Sequence, residues 1–466
     1  MGKYRYLFKN IGVLTLSQFA TKFISFFLVP LYTSVLATSE YGVYDLLITT
    51  IGVLLPIFTL NIQDAVLRFS LDDNGDKGAV VSVGVRYMIV GNLLILVCLL
   101  INKLFDISEI ISAYSVVLFF TFFIQSFSGV LTAYVRGNGK ITDLSISSVV
   151  ASVVTICLNI LFLAVFKWGI RGYFLANIFG PFIQCIFLII RSAFFSHVHI
   201  SKKYKNEARE MTAYSKPLIA NGIAWWVNSA ADRYVVTFFC GLAENGIYSI
   251  AGKIPSILNI FQSIFNQAWT LSAVKDYDPE DSNGFFAITY KAYNCLMIIL
   301  CSVIILFDKV LARFLYVDDF YSAWKYVPWL TLAVLFGGLS GYLGGIFAAV
   351  KDSKIFSLSS VIAAATNIIL NMILIPLLGA TGAAIATTIS YAMVWAIRCW
   401  CTKKFVKLKI NIVRHSVCYA LLIVQTVVLV TEIPYAIQIE IMILFVLCVL
   451  CVDDIKSISK MAIRRK

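Results

Sequence analysis

Long apolar runs follow one another along the whole chain, separated by short segments that carry most of the charges and helix-breaking residues. About 20 consecutive apolar residues suffice for one α-helix to cross the hydrocarbon core of a bilayer. Of the 466 residues, 60% are hydrophobic and 14% are charged, whereas soluble domains contain about 25% charged residues. The sequence therefore predicts an all-α polytopic membrane protein.

The runs and their breakers predict about fourteen transmembrane helices. The first run is too long for a cleavable signal peptide, so we expect it to stay as the first membrane helix. The last two runs are short or weakly bounded, so twelve helices is the alternative count. The predicted spans are 11–35, 44–67, 80–104, 110–134, 144–166, 171–195, 214–240, 246–270, 285–307, 324–350, 355–378, 380–401, 414–431 and 434–452.

Lysine and arginine are concentrated in alternate connecting segments. When the N-terminus is placed in the cytoplasm, the segments on that side, including 196–213 and 398–414, hold most of them. This is the positive-inside pattern, and it predicts that both termini are cytoplasmic. The net charge of +13 then reflects topology and contact with anionic lipids, so we expect no nucleic-acid partner.

Three phrases recur in the same order, each about 200 residues later. Similar offsets favour an internal duplication over chance. Six predicted helices separate the copies, so the halves should be parallel repeats about an axis along the membrane normal. The paired phrases are EYGVY (40–44) and ENGIY (244–248), SISSVVAS (145–152) and SLSSVIAA (357–364), and GIRGYFLAN (169–177) and GATGAAIAT (379–387).

The repeat predicts two six-helix lobes with a substrate cavity between them. The N-terminal lobe would comprise residues 1–195 and the C-terminal lobe residues 214–402, joined by the basic cytoplasmic linker 196–213. Residues 403–466 would add two further transmembrane helices and a basic cytoplasmic tail.

Several polar and charged residues fall within the predicted spans, where a charge costs about 2.5–3.5 kcal/mol on insertion scales. Lys22, Arg233 and Lys253 predict a cationic lumen that binds an anionic head group, with Gln18 and Asn228 on the same helix stripes. Arg233 could alternatively extend its side chain outward to the membrane surface.

Three further charged residues allow two interpretations. Asp64, Arg68 and Asp232 could couple transport to an ion, or they could be structural. In the structural alternative Asp64 pairs with Arg68 across one helical turn, and Asp232 neutralises a neighbouring base. The stretch GGLSGYLGG (337–345) predicts close helix packing, with a flexing gate as the alternative.

No constellation in the sequence predicts catalysis. A complete phosphate-binding loop is absent from the sequence, the three histidines are scattered and the cysteine pairs lack the spacing of a zinc site. We therefore expect a protein that is not an enzyme and that needs no cofactor or metal.

Residues 231–269, ADRYVVTFFCGLAENGIYSIAGKIPSILNIFQSIFNQAW, resemble bacterial polysaccharide flippases of the Wzx type, which handle O-antigen and capsule units. The segment FLYVDDFYSAWKYVPWL (314–330) and the EYGVY phrase are also similar to that family. These flippases share a superfamily with multidrug (MATE) exporters and lipid II flippases. Many of them have twelve helices, whereas fourteen resembles the lipid II flippases. Helix 1 here has a lone Lys22 where the lipid II flippases carry a charged cluster.

The resemblance implies transport of an oligosaccharide linked to undecaprenyl pyrophosphate, in lipopolysaccharide, O-antigen or capsule biosynthesis. The protein would work in the bacterial cytoplasmic membrane by alternating access, driven by an ion gradient, with a polymerase and glycosyltransferases as partners. One alternative is a cation-coupled exporter of amphiphilic small molecules. Another is a polysaccharide polymerase, for which the acids of the predicted outer segment are Asp308, Asp318 and Asp319.

Overall fold

The computed structural model describes residues 26–72, 75–199, 204–275, 277–350, 352–408 and 410–464, and within these ranges the regular structure is entirely helical. The chain divides into two compact units, and the division falls between Ala230 and Ala231. That point lies inside one continuous helix, Lys205–Cys240. The lobe boundaries predicted from the repeat, with a linker at 196–213, remain a prediction.

The first unit contains nine helices among the described residues before the long helix that crosses the division. A π-helical turn, Ile160–Val165, continues the seventh of them. The helices are α1 Val29–Val35, α2 Thr38–Phe58, α3 Ile62–Ser70, α4 Lys77–Phe105, α5 Glu109–Ala113, α6 Ser115–Gly137, α7 Ile141–Asn159, α8 Gly169–Ser192 and α9 Phe194–His197.

The long helix α10, Lys205–Cys240, leads into the second unit. A 3₁₀ segment, Asp318–Lys325, directly precedes the helix Val327–Ala349. The remaining helices are α11 Leu242–Ala251, α12 Ser256–Lys275, α13 Phe285–Leu306, α14 Asp308–Leu315, α15 Val327–Ala349, α16 Ser353–Leu378, α17 Ala380–Thr402, α18 Ile412–Val430 and α19 Ala436–Arg464.

The all-helical membrane fold is confirmed. Among the described residues, ten helices are long and apolar enough to cross a membrane, and Ala436–Val452 is a shorter apolar helix. The predicted span 11–35 lies mostly outside the described residues. The helix predicted over 214–240 begins earlier, at Lys205, and continues unbroken through Pro217.

The predicted span 44–67 was wrong as one helix, because it is two. Helix α2 begins at Thr38, where the Glu40 carboxylate accepts a hydrogen bond from the Ala37 N–H at 2.9 Å. It ends at Phe58, and Leu60 and Asn61 both have positive φ, which breaks the helix before α3. Gly91 of α4 lies against this break, where a Cβ would come within 3.0 Å of the Phe58 carbonyl oxygen.

The predicted span 246–270 was also wrong as one helix. Helix α11 ends at Ala251, and α12 begins at Ser256 after a turn over 252–255. Pro255 explains the break, since it supplies no backbone N–H and disfavours helical geometry in the residue before it. Both copies of the repeated phrase therefore occupy the first turns of helices, EYGVY in α2 and ENGIY in α11.

The repeated G-x-x-G motif has the same geometry in both units. The first glycine of each copy, Gly169 or Gly379, has positive φ (+55° and +62°) where the chain turns into the next helix. A Cβ on the second glycine, Gly172 or Gly382, would meet backbone atoms of the preceding helical segment, the Phe162 carbonyl oxygen at 3.3 Å or the Leu374 carbonyl oxygen at 2.3 Å. The motif therefore recurs because each copy packs two consecutive helices at van der Waals distance.

The glycines of GGLSGYLGG let α12 pack closely on α15. A Cβ on Gly338, Gly341 or Gly345 would meet Gln262, Asn266 or Trp269, at 2.5, 3.1 and 2.6 Å. The Trp269 indole N–H donates to the Tyr342 carbonyl at 2.8 Å, and the two rings stack at 4.0 Å. The static geometry supports the packing interpretation of this stretch.

Candidate functional site in the second unit

An acidic side chain lies buried at the start of the second unit. Asp232, on α10, is 8% exposed. The phenol of Tyr248, on α11, donates to its Oδ2 at 2.6 Å, and the Arg233 backbone N–H donates to its Oδ1 at 3.0 Å. Gly241, with φ of +90°, ends α10 and allows the chain to turn into α11 so that these two side chains meet.

Tyr248 links Asp232 to further buried polar side chains on α16 and α17. The Thr387 hydroxyl is hydrogen-bonded to the Tyr248 phenol. Thr387 accepts from the Asn367 amide at 3.3 Å, and Asn367 in turn accepts from Asn371 at 3.0 Å. We call these five residues the Asp232 network. Four helices of the second unit contribute to it: α10, α11, α16 and α17.

The members of the network are almost completely withdrawn from solvent. Asn367 is 2% exposed, Asn371 is fully buried and Tyr248 is 4% exposed. The Oδ1 atom of Asn371 has no hydrogen-bond donor among the described residues. Burying a polar group lowers stability unless the group makes hydrogen bonds, and apolar side chains would pack here without that cost. A connected row of buried polar side chains therefore indicates a candidate functional site.

Two of the predicted basic residues lie in the same unit. Arg233 follows Asp232 directly on α10 and is partly buried, close enough to the Tyr248 phenol to act on it electrostatically. Lys253 is also partly buried and lies in the turn between α11 and α12, where its N–H donates to the Ile250 carbonyl at 2.9 Å. Arg233 therefore lies on a helix, as the sequence predicted, whereas Lys253 lies in a turn and not inside the single helix predicted over 246–270.

The pairing suggested for Asp64 and Arg68 is not the one the structure shows. Arg68 Nη1 pairs with Asp72 Oδ1 at 3.1 Å, with both side chains more than half exposed. Asp64 is exposed and accepts from the Asn61 amide at 2.7 Å. The helix break before α3 explains the difference, because Asn61 lies there in the left-handed region and its side chain reaches the first turn.

Three predicted site residues cannot be placed. Lys22 and Gln18 lie outside the described residues, and the side chain of Asn228 does as well, although its backbone belongs to α10. Their assignment to a substrate-binding lumen remains a prediction.

Sequence reasoning missed Tyr248, Thr387, Asn367 and Asn371. Signals were present for each of them. Tyr248 is the last letter of the ENGIY phrase, Thr387 is the last letter of GATGAAIAT, and the two asparagines are spaced i, i+4 in an otherwise apolar run. The spacing places both amides on one helix face, but only the fold shows that this face meets α17.

The Asp232 network brings together oxygen atoms of the kind that bind small cations. A carboxylate, two carboxamides and two hydroxyls offer the oxygen ligands that a proton or an alkali cation prefers, and burial strengthens their electrostatic effect. Arg233 beside the carboxylate adds a positive charge that could engage an anionic group. The arrangement is suited to binding and charge compensation, and the described residues around it show no nucleophile paired with a base.

Solved structures of transporters share this fold. The chain superposes on lipid II flippase MurJ in an inward closed conformation with a TM-score of 0.71 at 13% identity, covering 95% of this chain and 99% of that one. An inward-facing multidrug resistance MATE family transporter of the MOP superfamily gives a TM-score of 0.66 at 15% identity, covering 87% and 96%. Identities this low establish the fold and no more.

A curated relative is an uncharacterised membrane protein of Methanocaldococcus jannaschii, 23% identical over 268 residues. The match covers 53% of this chain, and the chain spans about half the length of that relative (52%). The model of the family described as polysaccharide biosynthesis protein matches residues 7–271, which include Asp232, Arg233, Tyr248 and Lys253. Because that match covers more than half of the chain, this protein belongs to the polysaccharide biosynthesis protein family and has the fold of the MOP superfamily of flippases and transporters.

Proposed function

We propose that this protein is a flippase that moves oligosaccharide repeat units linked to undecaprenyl pyrophosphate from the inner to the outer leaflet of the bacterial cytoplasmic membrane. Its membership of a polysaccharide biosynthesis family, in a chain with a transporter fold, is the observation that carries this proposal. The likeness to a lipid II flippase supports a lipid-linked cargo. The products would serve lipopolysaccharide, O-antigen or capsule assembly, with glycosyltransferases upstream and a polymerase downstream.

The chemistry of the cargo fits the basic residues. A pyrophosphate carries several negative charges, and Arg233 and Lys253, together with Lys22, would neutralise it. Arginine is suited to this task because its planar guanidinium makes paired hydrogen bonds to phosphate oxygens. The prenyl chain would remain in lipid while the sugars cross a hydrated lumen.

Coupling would use Asp232. Binding of a proton or sodium ion at the buried carboxylate would change the charge beside Arg233 and so change the affinity for the anionic head group. A cation gradient would then drive alternating access, because cation binding at Asp232 would shift the conformational equilibrium on which binding of the head group also depends.

Both termini would lie in the cytoplasm.

The test is a comparison of the source strain with and without the gene, measuring prenyl-pyrophosphate-linked repeat units in each leaflet. Completed units should accumulate in the cytoplasmic leaflet when the gene is absent. Restoring Arg233→Ala or Lys253→Ala should leave that accumulation in place. Arg191→Ala should relieve it, since the exposed side chain of Arg191 pairs with Asp143 at 3.1 Å within the first unit and is not part of the network. An unchanged lipid pool would overturn the proposal.

The second candidate is a cation-coupled exporter of amphiphilic small molecules, which the MATE fold favours. It predicts an unchanged lipid pool and loss of drug extrusion in the deletion strain. The polymerase alternative predicts single repeats accumulating in the outer leaflet. The structure gives that alternative little support, because Asp308 is fully buried whereas Asp318 and Asp319 are exposed.

A further inference from the structure

Two carboxylic side chains lie buried where the last two helices pack on the rest of the second unit. Asp308 begins α14 directly after the membrane helix α13, and it is 0% exposed. Glu440 lies in the first turns of α19 and is 1% exposed. The two carboxyl groups are close enough to act on each other electrostatically.

The neighbouring contacts show how these helices are held in register. Asn294 of α13 accepts from the Tyr419 hydroxyl of α18 at 2.8 Å, and the Ser302 hydroxyl donates to Gln425 at 2.8 Å. Cys295 Sγ lies 4.0 Å from the Cys451 carbonyl oxygen of α19. From that contact, α13 and α19 run in opposite directions. Asp308 lies about 13 residues after Cys295, and Glu440 lies about 11 residues before Cys451, so the two carboxylic residues come to about the same height along the two helices.

None of the four carboxylate oxygens of this pair accepts a hydrogen bond from the described residues. A third buried side chain without a hydrogen-bond partner among the described residues lies on α18. The Thr426 hydroxyl is fully buried and has no hydrogen-bond partner among the described residues. Thr426 lies four residues before the last residue of α18, and Glu440 lies four residues after the first residue of α19.

Nearby positive charge does not satisfy the pair. Lys309 follows Asp308, but its Nζ contacts the exposed carboxylate of Glu432 at 2.5 Å and lies 4.3 Å from the centre of the Trp324 ring. Lys325 also acts on Glu432. Lys309 therefore stabilises the ionised form of Asp308 only from a distance. Two buried carboxylates without hydrogen-bond donors remain unfavourable if both are ionised.

We propose that Asp308 and Glu440 together bind one small monovalent cation, a proton or a sodium ion, with Thr426 as a further oxygen ligand. This site lies between α13–α14 and the α18–α19 hairpin, shares no residue with the Asp232 network, and holds the hairpin against α13 and α14 when it is occupied. Cation binding at this site does not depend on the transported cargo, so the test measures the stability of the protein and not transport.

The sign of the pH effect follows from burial. Desolvation, reinforced by Glu440, raises the pKa of Asp308 well above its ordinary value. Its contribution to stability is then fully present below the ordinary pKa of about 4 and is lost as the pH rises through the folded-state value. Sodium would restore stability at high pH if it can replace the proton.

The experiment follows the melting temperature of the purified full-length protein in lipid nanodiscs from about pH 6 to about pH 8, in sodium chloride or choline chloride. The wild type is compared with Asp308→Asn, Glu440→Gln and the double variant. These amides keep the shape and mimic the neutral acid, so the variants should fold. Glu280→Gln is the matched control, because Glu280 forms an exposed ion pair with Lys407 at 2.6 Å.

If sodium binds, sodium but not choline should raise the wild-type melting temperature by a few degrees at the higher pH. If a proton binds, acidification should raise it equally in both salts. Either response should be absent from the double variant and unchanged in Glu280→Gln. The same dependence on pH and sodium in the wild type and the double variant would overturn the proposal.

Discussion

The phenol of Tyr248 donates a hydrogen bond to Oδ2 of Asp232 at 2.6 Å, and both side chains are buried. The bond joins the end of α10 to the first helix after it. It also connects the carboxylate to Thr387, Asn367 and Asn371 on α16 and α17. A change in the charge of Asp232 can therefore be transmitted to helices that lie more than a hundred residues further along the chain.

Replacing Tyr248 with phenylalanine removes this donor with almost no change of shape. Loss of a hydrogen bond to a charged group costs about 1.5–3 kcal/mol, which corresponds to a tenfold or greater weakening of any cation binding that depends on it. We expect transport to fall accordingly, measured as flipping of lipid-linked repeat units in inverted vesicles. Tyr277→Phe is the control, since it loses a hydroxyl bond to the Phe405 carbonyl at 2.9 Å outside the network. Equal transport in the two variants would argue against a role for Tyr248.

Replacing Asp232 with asparagine keeps an oxygen that can accept from Tyr248 and removes the charge. We expect the protein to insert and fold, and transport to lose its response to an imposed proton or sodium gradient. The measurement is the rate of flipping with and without the gradient. Asp143→Asn is the comparison, because Asp143 pairs with Arg191 at 3.1 Å in the first unit. A gradient response of wild-type size in Asp232→Asn would remove this residue from the coupling step.

Replacing Gly382 with alanine tests the close approach of α16 and α17. The new Cβ would meet the Leu374 carbonyl oxygen at 2.3 Å, and overpacking of this kind costs about 1–3 kcal/mol. We expect a lower melting temperature in detergent. Gly337→Ala provides the contrast within the same unit, because its Cβ would only touch the Tyr391 ring at 3.5 Å. A similar melting temperature for the two variants would show that the helices can separate at little cost.

Arg398, which the charge pattern assigned to a cytoplasmic segment, is 4% exposed inside the second unit. Its guanidinium donates to the Ser340 carbonyl at 2.9 Å and to the Phe356 carbonyl at 3.2 Å, and lies 4.0 Å from the centre of the Phe356 ring. It also donates to the hydroxyls of Ser359 and Ser360. The side chain thus joins α15, α16 and α17 through neutral acceptors.

Arg398→Lys should therefore be more than a conservative change. One ammonium cannot reproduce the planar set of donors, and each buried acceptor left without one costs about 1–3 kcal/mol. We expect a clear fall in melting temperature and in the amount of inserted protein. Arg191→Lys should change neither, because Arg191 is exposed and surface ion pairs of this kind contribute about 0–1 kcal/mol. An unaltered melting temperature for Arg398→Lys would contradict this structural role.

The sequence predicted the breaks in the chain less well than the spans. The runs 44–67 and 246–270 are each mostly apolar and about as long as one membrane helix, so hydropathy did not reveal that each contains two helices. Pro255 offered a signal for the second break. The first depends on the left-handed backbone of Leu60 and Asn61 and on the contact with Gly91, which have no local signature in the sequence.

The amino-acid sequence by itself determined that this chain is helical, crosses the membrane many times and is related to polysaccharide flippases, because hydropathy and local motifs are properties of neighbouring residues. The recurring glycines likewise had a local cause, the turn and the close contact between consecutive helices. The tertiary structure alone decided that Tyr248 joins Asp232 to the polar residues of α16 and α17, and that Asp308 lies close enough to Glu440 to be affected by its charge. Such pairs are separated by up to about 140 residues, and only the packing of whole helices brings their side chains together.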